Sequence, residues 1–279
     1  MNTKWQVPAV WLLCILCSSL FFAASEVEPP FVAKIKSWAK KVYVNKNGYW
    51  EAEFKYGIAM VYIPAGEFLM GSPAGEIGRE ADEGPLHRVF LDGYWMAKYE
   101  VTQGLWTAIM KKNPSHFKNA GKNAPVENVT HYEVQTFITH LNQQAGLFFR
   151  VPTEAQWEKA CRAGSNRFIY GSWPLEEIAW FFSNSKKKTH PVGEKKPNAY
   201  GLYDMLGNVW EWTSDWHGED YYSHSPLKNP TGPITGSRLV TRGGSFSHER
   251  SYLRCAHRNS CEPAACLFRL GFRLLLPEI

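Results

Sequence analysis

The chain has little excess of either charge. Its 31 Lys and Arg stand against 26 Asp and Glu, and much of the surplus sits in short lysine-rich patches near residues 34–46 and 186–188. A solvated patch is expected from such a distribution, not a face for nucleic acid. No internal repeat is apparent. Cysteine is scarce, with six residues in all. Long apolar runs are also missing beyond residue 24; the later apolar segments are short and broken by Gly, Pro and Asn.

The one sustained apolar stretch, residues 7–24, follows Met-Asn-Thr-Lys-Trp and exits through Ala23, Ala24 and Ser25. It reads as a secretory signal over residues 1–25. Pro8 and the modest length argue against a stable span, although an uncleaved anchor that attaches the N-terminus to a membrane is the alternative. Cys17 is a weak candidate for lipidation, because Leu13 and Leu16 are poor neighbours for a lipoprotein signal. The expected location is the cell surface or periplasm. Export would permit disulfides among Cys161, Cys255, Cys261 and Cys266, whose pairing spacing alone does not fix. Residues 26–57 read as a basic tether and residues 58–279 as one domain.

Within that domain, Thr130 and Glu133 form a capping box ahead of Val134, Phe137, Ile138 and Leu141, at helical spacing up to Gly146. Thr153 and Gln156 repeat the device, with Trp157 and Ala160 inward and Gly164 at the end. A further helix is expected from Thr102 to Asn113-Pro114, where proline forbids continuation. Little regular structure is expected over residues 184–201 and 218–236.

Residues 200–216, Y-G-L-Y-D-M-L-G-N-V-W-E-W-T-S-D-W, place Asp204 and Glu211 on either side of a turn at Gly207-Asn208. A turn wrapped so that the carbonyls face inward would suit calcium. Core tryptophans with acids that merely cap the turn would leave the same pattern. Companion motifs surround this one: M-V-Y-I-P-A-G-E-F-L-M-G-S, E-G-P-L-H-R-V, Y-E-V-T-Q-G-L-W, P-V-E-N-V-T and R-V-P-T-E-A-Q-W-E-K-A-C-R-A-G before it, R-G-G-S-F and L-G-F-R-L after it. The ordered series resembles the formylglycine-generating enzyme, or sulfatase-modifying factor, family from about Ile58 onward.

The resemblance implies an α+β fold with little regular secondary structure, a variant of the C-type lectin fold that presents C-terminal loops as a binding face. It also implies a structural calcium at Asp204, Gly207, Val209 and Glu211, with Asp204 in place of the usual Asn. The family's other calcium site is not expected, since residues 180–189 are short and lysine-rich. In the family's oxidising enzymes, two cysteines after G-G-S bind copper, as soft thiolates select Cu(I). Here those slots hold His248 and Leu253. Cys261 and Cys266 keep the same spacing further on and form a rival pair, against a disulfide or two unrelated thiols.

Residues 247–270 contain no Lys, Gln, Met or Trp. With Glu, these are the residues an AAC codon cannot reach when its adenines are randomised; only Glu249 and Glu262 break the rule. The segment resembles the variable region of proteins diversified by retroelements, several of which share this fold and end in L-G-F-R. A short loop lacking four residue types by chance is the other reading. On the first, His248, Arg250, Tyr252, His257, Ser260, Cys261, Leu267, Phe268 and Arg269 form a face for a protein or other macromolecule, with Tyr, Arg and Phe as anchors. A metal at the histidines lacks a third ligand. The alternative function is a formylglycine-generating-enzyme-like oxidoreductase acting on protein cysteine; loss of both cysteine slots favours binding.

Overall fold

The computed structural model describes residues 28–278, so the expected export signal, with Cys14 and Cys17, lies outside the described residues. The helices are α1 (Pro30–Ile35), α2 (Gln103–Met110), α3 (His131–Ala145), α4 (Glu154–Arg162) and α5 (Leu175–Ile178). The strands are β1 (Lys41–Val44), β2 (Trp50–Glu53), β3 (Ala59–Ile63), β4 (Gly66–Met70), β5 (His87–Leu91), β6 (Tyr94–Ala97), β7 (Trp210–Trp216), β8 (Leu239–Arg242), β9 (Arg258–Cys261), β10 (Leu270–Gly271) and β11 (Leu275–Pro277). One sheet runs β1-β2-β3-β6-β11, all antiparallel, a second runs β10-β7-β8-β9, and β4-β5 form a hairpin. Among the described residues, no helix is long and apolar enough to cross a membrane.

Helix starts follow their caps. Thr130 Oγ1 accepts from Glu133 N at 3.2 Å and the Glu133 carboxylate accepts from Thr130 N at 3.1 Å. Helix α3 then buries Val134, Phe137, Ile138 and Leu141 and stops at Gly146, φ +68°. Thr153 and Gln156 cap α4 in the same way. Its end differs from expectation: the left-handed residue is Ala163, φ +47°, one before Gly164. Every residue of α4 is buried, so packing sets that end. Helix α2, capped by Thr102, stops at Lys111, φ +60°, ahead of Asn113-Pro114. Asn113 instead turns back, donating from Nδ2 to Gln103 Oε1 at 2.8 Å.

The stretch expected to be a tether, residues 26–57, is folded from Pro30 onward. Helix α1 buries Val32 and Ile35, and Phe31 stacks on Tyr62 at 3.7 Å. Strands β1 and β2 form the edge of the larger sheet, joined by a turn in which Asn45 Oδ1 accepts from Asn47 N and Tyr49 N. Lys34, Lys36, Lys40 and Lys41 are all exposed, so the basic composition records only the solvent side. Residues 184–201 hold no strand or helix, and residues 218–236 hold one short 3-10 turn, Tyr221–Ser223.

Two apolar cores fill the interior. Trp106 stacks on Phe137 at 5.0 Å, and both meet Phe272 edge-on, which ties α2 and α3 to the chain beside β10. The other core packs α4 against the hairpin and the five-stranded sheet, whose Val61, Ile63, Tyr94, Met96 and Leu275 it includes. Register then brings the motifs side by side: Gly271 pairs with Glu211, and Glu211 with Arg242.

Candidate functional site

The C-terminal motifs owe their positions to buried arginines. Arg242 is bonded to Glu158 and donates to the carbonyls of Cys255, Ala256 and His257 at 2.6–2.8 Å. Arg258 donates from Nε to Glu154 Oε1 at 2.7 Å, and Arg254 pairs with Glu76 and Glu83. Arg273 grips both oxygens of Glu211. The four arginines are at most 2% exposed. Buried charge is tolerated when paired and hydrogen-bonded, and here the pairs fasten the ends of β8 and β9 and the irregular chain near them to α4, β7 and the loop before β5. Sequence reasoning missed this network, because its acids lie up to 178 residues from their arginines.

Above this frame, Ser245, Trp210, His248, Tyr252 and His257 cluster. His248 Nδ1 lies 2.6 Å from Ser245 Oγ, and its ring meets Trp210 at 5.3 Å and Tyr252 at 5.0 Å. Burial, helped by Arg269 and His257, pushes the His248 imidazole down to about 4, so it is neutral at physiological pH.

The nine residues expected on the binding face divide by exposure. Arg250, Tyr252 and Phe268 are exposed, whereas His248, Ser260, Leu267 and Arg269 are half-buried. Arg250 pairs with Glu176 across the surface, and Ser260 Oγ accepts from Arg238 Nε at 3.0 Å. His257 and Cys261 do not belong to an open face. His257 is 3% exposed, with Nδ1 3.5 Å from Glu83 Oε1, and Cys261 is buried at the end of β9 against the first core. The physical reason is that residues 253–258 turn inward to place Arg254 and Arg258 on their carboxylates.

Of the expected cation set, Asp204 and Glu211 are each 1% exposed. Asp204 Oδ2 accepts from Gly193 N at 2.7 Å, while Oδ1 is buried without a partner. Burial pushes the Asp204 carboxyl up to about 6 and drives Glu100, which accepts from Val209 N at 3.2 Å, well above the ordinary range. Glu211 is engaged by Arg273 and by Trp157 Nε1 at 2.7 Å. Three neighbouring acids thus share one guanidinium. Gly207 must be glycine, since a Cβ there would meet Trp180 O at 2.2 Å. Among the described residues, no three His, Cys, Asp or Glu side chains form a ready metal cage. A cation here would draw on Asp204, Glu211 and carbonyls, and the unpartnered Asp204 oxygen fits one.

The two slots that the resemblance assigns to thiolates hold half-buried His248 and fully buried Leu253. Cys261 faces the core, whereas exposed Cys266 bonds to Asn128 O at 3.1 Å. Cys161 and Cys255 are the thiols brought together, with sulfurs 2.9 Å apart in the interior.

A model of the sulfatase-modifying factor enzyme 1-like domain matches residues 50–277. The formylglycine-generating enzyme of Mus musculus is 30% identical over 282 residues, covering 77% of this chain and 74% of that enzyme. The serine/threonine-protein kinase pkn1 of Chlamydia caviae is 34% identical over 242 residues, covering 77% of this chain but only 37% of the kinase. Among solved structures, Treponema denticola variable protein 1 superposes with a TM-score of 0.72 at 31% identity, over 85% of this chain and 98% of that one. PvdO from Pseudomonas aeruginosa gives 0.72 at 26% identity, over 86% and 98%. The chain belongs to the sulfatase-modifying factor enzyme 1-like family and has its α+β, C-type-lectin-like variant of the formylglycine-generating enzyme fold.

Proposed function

We propose that this chain is an exported, surface-associated member of the family that binds a macromolecular ligand through its C-terminal loops. The observation that carries this reading is the pair His248 and Leu253. Leucine offers no donor and is fully buried, and His248 has one ring nitrogen engaged with Ser245. The groups left outside the core at the same face, Arg250, Tyr252 and Phe268, are residue types that anchor interfaces. Likeness to the Treponema variable protein supports diversification of residues 247–270 by a retroelement. A reverse transcriptase gene and a near-copy of the coding segment for residues 242–273 are expected in the neighbouring DNA.

Calcium enters this reading as a structural cation, held by Asp204 and Glu211 with the carbonyls of Gly207 and Val209. Support comes from the unpartnered Asp204 Oδ1 and from the excess of buried carboxylate around it. Calcium added to a chelator-treated sample is expected to raise Tm; an unchanged Tm removes the site. The reading against turnover is tested by incubating the protein, with and without copper, with a cysteine-containing sulfatase peptide. Mass spectrometry is expected to find no aldehyde. Aldehyde that disappears on Cys261→Ser or Cys266→Ser would restore the oxidoreductase.

A further inference from the structure

The aromatic surface does not stop at residues 247–270. Phe268, 41% exposed, has its ring centroid 6.1 Å from Phe117, 6.2 Å from Phe246 and 5.6 Å from His116. Phe246 is buried and half-buried Phe117 meets it edge-on at 5.2 Å, so the two make a fixed floor beside Phe268. Phe182, 46% exposed, is fastened to the same face, since its N–H donates to His248 O at 3.0 Å.

Cations surround these rings. The Arg269 guanidinium lies 5.8 Å from the Phe268 ring, and exposed Lys118 follows Phe117. Lys186 and Lys187 stand on a turn in which both are left-handed, with φ of +55° and +57°. Ser185 holds that turn: its Oγ donates to Phe246 O at 2.7 Å and accepts from Lys187 N at 3.1 Å. Two successive non-glycine residues in this region cost on the order of 1 kcal/mol each, and such strain persists where surrounding bonds impose it. Among the described residues, no carboxylate lies within ion-pairing distance of Arg269, Lys118, Lys186 or Lys187. Nearby Arg250 and Lys196, by contrast, have carboxylate partners in Glu176 and Glu177. Glu249 is exposed in the same loop, and Glu127 is buried, accepting from Phe117 N at 2.8 Å.

We infer that this face takes an acidic polypeptide segment, with an apolar side chain against Phe268 and Phe117 and carboxylates paired to Lys118, Lys186, Lys187 and Arg269. The inference rests on the binding reading above and adds the partner's chemistry, together with rim residues outside the C-terminal segment. A membrane would need a broad set of apolar side chains that project into lipid, whereas of these four rings two project and Phe117 and Phe246 form the floor. Base stacking needs open ring faces, whereas Phe246 is buried and half-buried Phe117 is held edge-on against it.

The test is to pan a random-peptide phage library against the full chain at low salt. Enriched peptides are expected to carry net negative charge around an apolar residue. A synthetic peptide of that sequence, titrated by fluorescence anisotropy, should bind about tenfold more weakly to Phe268→Ala. A similar loss is expected for the double variant Lys186→Glu, Lys187→Glu, and a steady loss as salt rises. Lys34→Glu, Lys40→Glu should bind as the parent does, and melts of each variant separate lost binding from lost folding. Neutral or basic peptides that depend on Arg250 and Tyr252 would overturn the acidic partner and leave the binding reading standing. Failure to enrich any peptide, or binding indifferent to Arg250, Tyr252, Phe268 and the lysines, would overturn both. Capture by phosphatidylglycerol vesicles in place of peptide would assign the face to a membrane and overturn the inference.

Discussion

Asp215 shows how a single buried group sets a pH response. It is 2% exposed on β7, and its Oδ1 accepts from Ser214 Oγ at 3.0 Å. Burial, reinforced by Glu154, pushes its carboxyl up to about 7, against roughly 4 in an unfolded chain. Between those values the native state holds a proton that the unfolded state has released. The contribution of Asp215 is therefore fully present below the unfolded value and is lost as pH rises towards 7, on the order of 1.4 kcal/mol per pH unit. Asp215→Asn keeps the shape and cannot ionise. Its stability relative to the parent is expected to grow from about pH 4 to about pH 7 and then level off. Urea denaturation across that range measures the difference, and a constant difference would sink the assignment.

The C-terminal segment is two kinds of element in one stretch. Arg250→Ala, Tyr252→Ala and Phe268→Ala remove side chains that face solvent and should each cost about 0.5 kcal/mol or less. Leu253→Ala, Trp212→Ala and Phe272→Ala empty sites that are fully buried and should cost about 3 kcal/mol or more. Thermal melts of both sets check the division; equal losses would make the whole segment core. Part of this was legible. Thr130 and Thr153 announce their helices because a cap and its partner are three residues apart, and helix periodicity is local. Strand β9, Arg-Asn-Ser-Cys, carries no alternation of apolar and polar residues, so nothing local marks it. It exists because Arg258 reaches Glu154 from one end and Cys261 reaches the core from the other. His257 was misplaced for the same reason: its burial follows from Glu83 and Arg254, which only the fold brings near.

At the scale of the whole molecule, one junction organises both cores. Helix α4 supplies Glu154 and Glu158 to Arg258 and Arg242, and Cys161 on the same helix meets Cys255 from the C-terminal segment across 94 residues of sequence. Their sulfurs, 2.9 Å apart, need under an ångström of closure to reach the roughly 2.05 Å of a disulfide. In the oxidising compartment that export would provide, that bond is expected to form. Closing a loop of this size should add about 4 kcal/mol by restricting the unfolded chain, and it would lock the same seam that the arginine–carboxylate pairs hold. Non-reducing peptide mapping of protein purified from its host without reductant should find Cys161 joined to Cys255 and Cys266 free for alkylation. Reduction, or Cys161→Ala with Cys255→Ala, should lower Tm. If both thiols alkylate fully after unfolding without reductant, the pair is a packed thiol contact, and the seam is held by the buried ion pairs and the packing around them.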